Sequence, residues 1–166
     1  MNENYIMLNG KRVDLTDEQL EKLGLKVNKD CFNRSSVKEE YFFIDTFGKV
    51  SYDYNDSPVG TDRVRHKVAN YCTNKSIMKQ RALHETLDRL LWRFSVQNGG
   101  DKIDWSNHNT DKCCLYFSHK EKTIVIENNN YLQNIGCTYF NTREVAERAI
   151  NEIVIPFIKE HPEFVW

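Results

Sequence analysis

The chain has 166 residues, 40% of them hydrophobic and 28% charged, with a formal net charge of −1. That suits one domain, or two small units sharing a core, and excludes wholesale disorder. The charge is uneven: residues 1–60 sum to −3, residues 61–94 to +5 and residues 95–166 to −3, a basic island between acidic flanks.

Tyr5-Ile6-Met7-Leu8 and Arg12-Val13-Asp14-Leu15 flank Asn9-Gly10, whose tolerance of positive φ predicts a β-hairpin. Thr16-Asp17-Glu18-Gln19 has the spacing of a capping box, so a short helix should follow, turning Leu20 and Leu23 inward and stopping at Gly24. Residues 26–38 lack periodicity and read as a linker. Strands are expected at 41–44 and 49–53 around a turn at 45–48, then a loop at 55–60 rich in turn formers. Residues 62–71 read as extended. Asn74 should cap a helix running to about Gln97, roughly 35 Å long at ~1.5 Å per residue, and Asn98-Gly99-Gly100 should end it. Leu83, Leu87, Leu90, Leu91 and Phe94 form its apolar stripe, Glu85 and Arg89 pair at i,i+4, and Trp92 is expected in the core beside Leu91.

Residues 101–111 form a polar segment interrupted by Trp105. A second hairpin joins 113–118 to 123–127 across His119-Lys120-Glu121-Lys122, and a third extended stretch covers 131–140. Asn141-Thr142-Arg143-Glu144 reads as another capping box, before a helix that buries Val145, Ala149, Ile150, Ile153 and Phe157. Pro156 has no N–H for the Glu152 carbonyl, so this helix should kink or restart there, and Pro162 should end it. The expected fold is therefore α+β: a hairpin, short helix and linker over residues 1–38, then two similar ββ(β)α modules with antiparallel sheets over 39–98 and 99–166. Residues 69–74 align with 136–142 if one residue is inserted.

Five stretches, LTDEQLEKLGL, YFFIDTFGKV, NYCTNKSIMKQRALHETLDRLLWRF, DKIDW and IGCTYFNTREVAERAI, resemble small uncharacterised proteins of phages, prophages and mobile elements of Firmicutes. The similarity covers most of the chain and rests on strand ends, helix caps and apolar stripes. A common form of the first module has Gly-Asn-Tyr-Phe where this chain has Ala69-Asn70-Tyr71-Cys72, and alanine tolerates positive φ poorly. The resemblance implies a setting, accessory genes that modulate a host, and supplies no catalytic residue.

Catalytic signals are sparse. The five cysteines (Cys31, Cys72, Cys113, Cys114 and Cys137) are odd in number and irregularly spaced, which suits buried thiols in a reducing compartment better than a disulfide framework. No C-x-x-C, G-x-S-x-G, P-loop, G-x-G-x-x-G or H-E-x-x-H occurs. Glu85 and Asp88, i,i+3 neighbours beside His84, have acid–base spacing, yet Arg89 offers Glu85 a plain salt bridge. No catalysis, cofactor or metal is expected. No apolar run approaches the roughly 18 residues that span a bilayer, and the N-terminus does not read as a secretory signal, so no membrane association and a cytoplasmic location are expected.

Binding signals concentrate in the basic island. In an extended segment Arg63, Arg65 and Lys67 would project from one face, with Val64 and Val68 turned to the core and His66 between them. Lys75 and Lys79 follow at the start of the long helix, against its dipole. Such a surface suits the phosphates of a nucleotide or nucleic acid, or the acidic face of a protein; it also suits a solvated strand whose charge prevents edge pairing. Trp105 is either an exposed anchor or a plug over the second sheet, and Trp166 either folds back or reaches a partner. The leading expectation is a non-catalytic accessory protein that binds and inhibits a host protein, plausibly as an anti-defence (such as anti-CRISPR) factor, through Arg63, Arg65, Lys67, Lys75, Lys79 and Trp105. A nucleotide- or nucleic-acid-binding module is the alternative, and a pI near 6.5 counts against general DNA binding.

Overall fold

The computed structural model describes residues 5–8, 11–16, 19, 30–35, 38–55 and 60–166. Strands β1 (Tyr5–Leu8) and β2 (Lys11–Asp14) pair antiparallel as the Asn-Gly signal requires. The Thr16 N–H donates to Gln19 Oε1 at 2.8 Å while the Gln19 N–H donates to Thr16 Oγ1 at 3.3 Å, a reciprocal capping box. The turn at 9–10, the rest of the short helix and the loop at 56–59 lie outside the described residues.

The fold is α+β, with two ββ(β)α modules after the hairpin. In the first, β3 (Glu40–Ile44) pairs with β4 (Val50–Tyr54), and Cys72 bridges to Phe42 on the other edge of β3. The chain then enters α2 (Lys75–Gln97), whose cap, Asn74, accepts from the Ser76 and Ile77 N–H groups. In the second module β5 (Cys113–Ser118) sits between β6 (Thr123–Asn128) and the short β7 (Tyr139–Phe140), and Phe140 pairs with Cys113. Of the extended stretch expected at 131–140, only its last two residues are strand. Thr142, not Asn141, caps α3 (Arg143–Ala149), its Oγ1 accepting from the Val145 N–H.

The repeat is closer than the sequence alignment implied. Cys72 and Phe140 each bridge to the first strand of their module two residues before the cap. Tyr71 and Tyr139 each lie one residue earlier, buried, and each hydroxyl accepts a loop N–H at 2.8 Å, from Ser35 and Asn134 respectively. Residues 69–74 therefore match 137–142 without an insertion.

Helix α2 serves both modules. Its first half places Met78 and Ala82 with Phe42, Ile44 and Cys72. Its second half places Leu87 with Val154, Phe157 and Phe164, and Phe94 with Cys113, Phe140, Ala146 and Ala149. Burying each large aliphatic or aromatic side chain contributes roughly 1.5–3 kcal/mol, so one helix couples two sheets too small to stand alone. After α3 comes a π-helical turn, Ile150–Val154, where the Ile155 N–H bonds the Ile150 carbonyl five residues back. The widened turn accommodates Pro156, which opens α4 (Ile155–Glu160).

The departure that bears most on function lies in the basic island. Residues 61–67 form a helix, α1 (Thr61–Lys67), not an extended segment. At 3.6 residues per turn Arg63 and Lys67 share a face and Arg65 leaves it, so the proposed row of three cations does not exist. Val64 and Val68 are 63% and 66% exposed, whereas Asp62 is buried. Polar contacts dock α1: Arg34 Nε donates to Asp62 Oδ2 at 3.1 Å and Arg34 Nη2 donates to Asn55 Oδ1 at 3.1 Å. The helix ends in a Schellman turn, with the Asn70 N–H on the Arg65 carbonyl and the Ala69 N–H on that of His66. Ala69 takes the left-handed position there, at φ 57°. The Asn70 amide then pairs with both main-chain groups of Ile44, tying the turn to β3.

Candidate functional site

The residues expected to bind are dispersed. Arg63 and Lys67 are exposed on α1 and carry no ion pair among the described residues. Arg65 is occupied: its Nη1 donates to the Tyr41 hydroxyl at 2.6 Å and to Asp53 Oδ2 at 2.8 Å, and its guanidinium lies 3.5 Å from the Phe43 ring centroid. This hydrogen bond holds the Asp53 carboxyl below its ordinary range. Lys75 reaches over the Phe42 ring at 5.5 Å. Lys79 is exposed one turn further along α2.

The groups closest to chemistry are also engaged. Glu85 is clamped by Arg81 at 2.9 Å and Arg89 at 2.7 Å, and the ring Nε2 of His84 donates to the Val165 carbonyl at 2.8 Å. The latter bond, with Trp166 stacked on Phe117 at 5.1 Å, shows that the C-terminal segment folds back onto both α2 and the sheet of the second module. Cys72, Cys113 and Cys114 are buried and Cys31 and Cys137 half-buried. Burial pushes the Cys72 thiol up to about 11 and raises those of Cys113 and Cys137, opposite to what an activated nucleophile needs. Among the described residues no group of three or more His, Cys, Asp or Glu is placed to hold a metal, and no helix is long and apolar enough to cross a membrane.

Of the predicted site residues, Lys79 and Trp105 line concave surfaces, and Trp105 sits in an aromatic one. Asn98-Gly99-Gly100 ends α2 as expected, and Gly99, at φ 87°, reverses the chain along it. A Cβ on Gly100 would lie 1.9 Å from Ser95 Oγ, so only glycine fits that close return. The returning segment brings Ile103 and Trp105 together with Trp92 in the lining of an open hollow of about 330 Å³ that Gln133, Thr138 and Tyr139 complete. Trp105 is half-buried, edge-on to Tyr139 at 4.8 Å, and so is both a plug over the sheet and a wall of the hollow. Behind it Lys112, 1% exposed, donates its ammonium to the Asn107 and Thr110 carbonyls at 2.5 and 2.9 Å, fixing the 107–112 loop.

Trp92 overturns its expected core placement: it is 63% exposed. The signal was present, because a residue next to Leu91 is rotated ~100° around the helix, away from the stripe set by Leu83, Leu87, Leu90, Leu91 and Phe94. Beside the hollow, the 131–136 segment exposes Tyr131, Leu132 and Ile135, the last fully. Ile135 tops a turn closed by the Cys137 N–H on the Asn134 carbonyl, with Gly136 at φ 78°. Asn134 holds that turn against the second module through Tyr139 and the Tyr116 hydroxyl, and Tyr131 packs on His108 at 4.8 Å. The result is a pinned face of exposed apolar side chains around an aromatic hollow. No protein-family model matches the chain, and no curated protein or solved structure matches it either.

Proposed function

We propose that this protein is a non-catalytic binder that acts by covering a surface of another protein, and that the face around Trp92 and Trp105 is its contact surface. Trp92 carries the reading. A helix residue this large and this exposed, sharing the lining of a hollow with a second tryptophan, has the character of an interface anchor. Burying its remaining surface on a partner would contribute on the order of 2–4 kcal/mol before association costs, with Leu132 and Ile135 adding more. Because Asn134 already fixes the turn that presents Ile135, little ordering is needed on binding.

The partner class follows from charge. Asp101 lines the hollow and Asp104 lies beside it, an unfavourable place for phosphates and a tolerable rim for a protein contact. Three cations on one strand face supported the nucleic-acid alternative and a protein contact through the basic island alike, and neither keeps that support now that α1 is helical; the protein reading rests instead on the face around Trp92 and Trp105. Within the setting implied by the resemblance to phage and mobile-element proteins, the partner is a host protein such as a defence component, and the mechanism is steric inhibition.

Tagged wild-type protein and a Trp92→Ser/Ile135→Ser variant, passed through lysate of a Firmicute host, test this. Both substitutions are on exposed side chains, so the fold is expected to survive. The reading predicts a host protein retained by the wild type and lost by the variant, with a matching loss of phage protection from host defence. Equal retention by both, or retention of nothing, overturns it.

A further inference from the structure

A second concave surface, sharing no lining residue with the aromatic hollow, runs along the first half of α2. Lys79, Ala82, Leu83 and Thr86 recur at i, i+3, i+4 and i+7 and so occupy one helical face. That face floors an open trough of about 690 Å³. Its floor is roughly 10 Å long at ~1.5 Å rise per residue. One wall is Phe47 to Val50, from the β3–β4 turn; the other is His161 and Glu163, from the segment after α4. The second wall is tied to the floor helix, since Gln80 Nε2 donates to the Glu163 carbonyl at 2.7 Å and Gln80 Oε1 accepts the Val165 N–H at 3.0 Å. The β3–β4 turn lies against the floor helix at Gly48, where a Cβ would stand in van der Waals range of Arg89 Nη1 and Thr86 Oγ1, at 3.4 and 3.7 Å.

The lining combines two chemistries. Ala82, Leu83, Val50 and Phe47 are apolar, and Phe47 stands at the rim 86% exposed. Lys49 and Lys79 are exposed cations with no ion pair among the described residues. The one carboxylate, Glu163, has His161 Nδ1 3.8 Å away. We infer that this trough binds a small organic anion with an apolar body, a carboxylate or sulfonate on an aliphatic or aromatic frame. The body lies on Ala82, Leu83 and Val50 under Phe47, and the anionic head faces Lys49 and Lys79. The volume falls in the roughly 300–1,000 Å³ range of small-molecule sites. A nucleotide fits less well: among the lining side chains only Thr86 offers a hydroxyl to read a base, and no helix N-terminus is among the residues that line the trough.

Decanoate and the fluorescent sulfonate anilinonaphthalene sulfonate serve as probes on the full chain. The inference predicts saturable one-to-one binding of the sulfonate and its displacement by decanoate, with amide shifts at Gly48, Val50 and Thr86. Lys49→Glu/Lys79→Glu should weaken both probes by about tenfold or more, while Lys120→Glu, in the β5–β6 turn, should leave them within about twofold. Absence of saturable binding, affinity unchanged in the double variant, or binding of adenosine monophosphate in place of decanoate each overturns it.

Discussion

Arg65→Ala separates a packed Arg65 from a free surface cation. Tyr41 is fully buried, and loss of the Arg65 donor leaves its hydroxyl without that partner, a cost of about 1–3 kcal/mol. The ion pair with Asp53 adds only about 0.2–1 kcal/mol, because the carboxylate side chain is 42% exposed and screened. Stacking on Phe43 adds about 0.5–1 kcal/mol. The expected total is near 3 kcal/mol, or a fall in Tm of about 6–12 °C for a chain of this size. Urea titration followed by circular dichroism measures it. Arg63→Ala and Lys67→Ala, exposed on α1, should each stay within about 0.5 kcal/mol of wild type. The pH dependence has a fixed sign: Asp53 titrates lower folded than unfolded, so its contribution is complete above the unfolded pKa of about 4 and disappears as pH falls through the folded value. In Arg65→Ala that acid-side loss should shrink. Three equal, small effects from the three cations would refute the docking of α1 through Arg65.

Lys112→Met removes the ammonium that serves the Asn107 and Thr110 carbonyls, with an expected cost of about 2 kcal/mol and a red shift in tryptophan fluorescence as Trp105 loosens. Asn74→Ala strips the cap from the Ser76 and Ile77 N–H groups and should cost about 1 kcal/mol by thermal melting. Ala69→Gly relieves a left-handed alanine and should stabilise by about 0.5 kcal/mol, the steric relief exceeding the entropy of the freer chain.

Where a pattern was local, the sequence reported it well. The three antiparallel pairs of consecutive strands, the Thr16 box, the Asn74 cap, the glycine stop of α2 and the break at Pro156 each depend on a few neighbouring residues. The first error was α1. Val64 and Val68 are four apart, which fits alternation and a helical face equally, and the helix in fact turns Asp62 inward and both valines outward. Its anchors, Arg34 with Asp62 and Arg65 with Asp53 and Tyr41, are polar contacts between segments that no hydrophobic period encodes. The second error was Trp92, where hydrophobicity was weighed above the angular position that excludes it from the stripe. The hollow itself was illegible because it needs the reversal at Gly99 to bring Trp105 against a residue 13 positions earlier.

Site-specific photo-crosslinking in cells of the proposed host tests the proposed contact face most directly. With a benzoyl-phenylalanine at position 132 or 135, beside the hollow, the account predicts one shared host-protein adduct that is absent when the probe stands at position 120. An adduct formed equally well from position 120, or none from either position near Trp92, would contradict it.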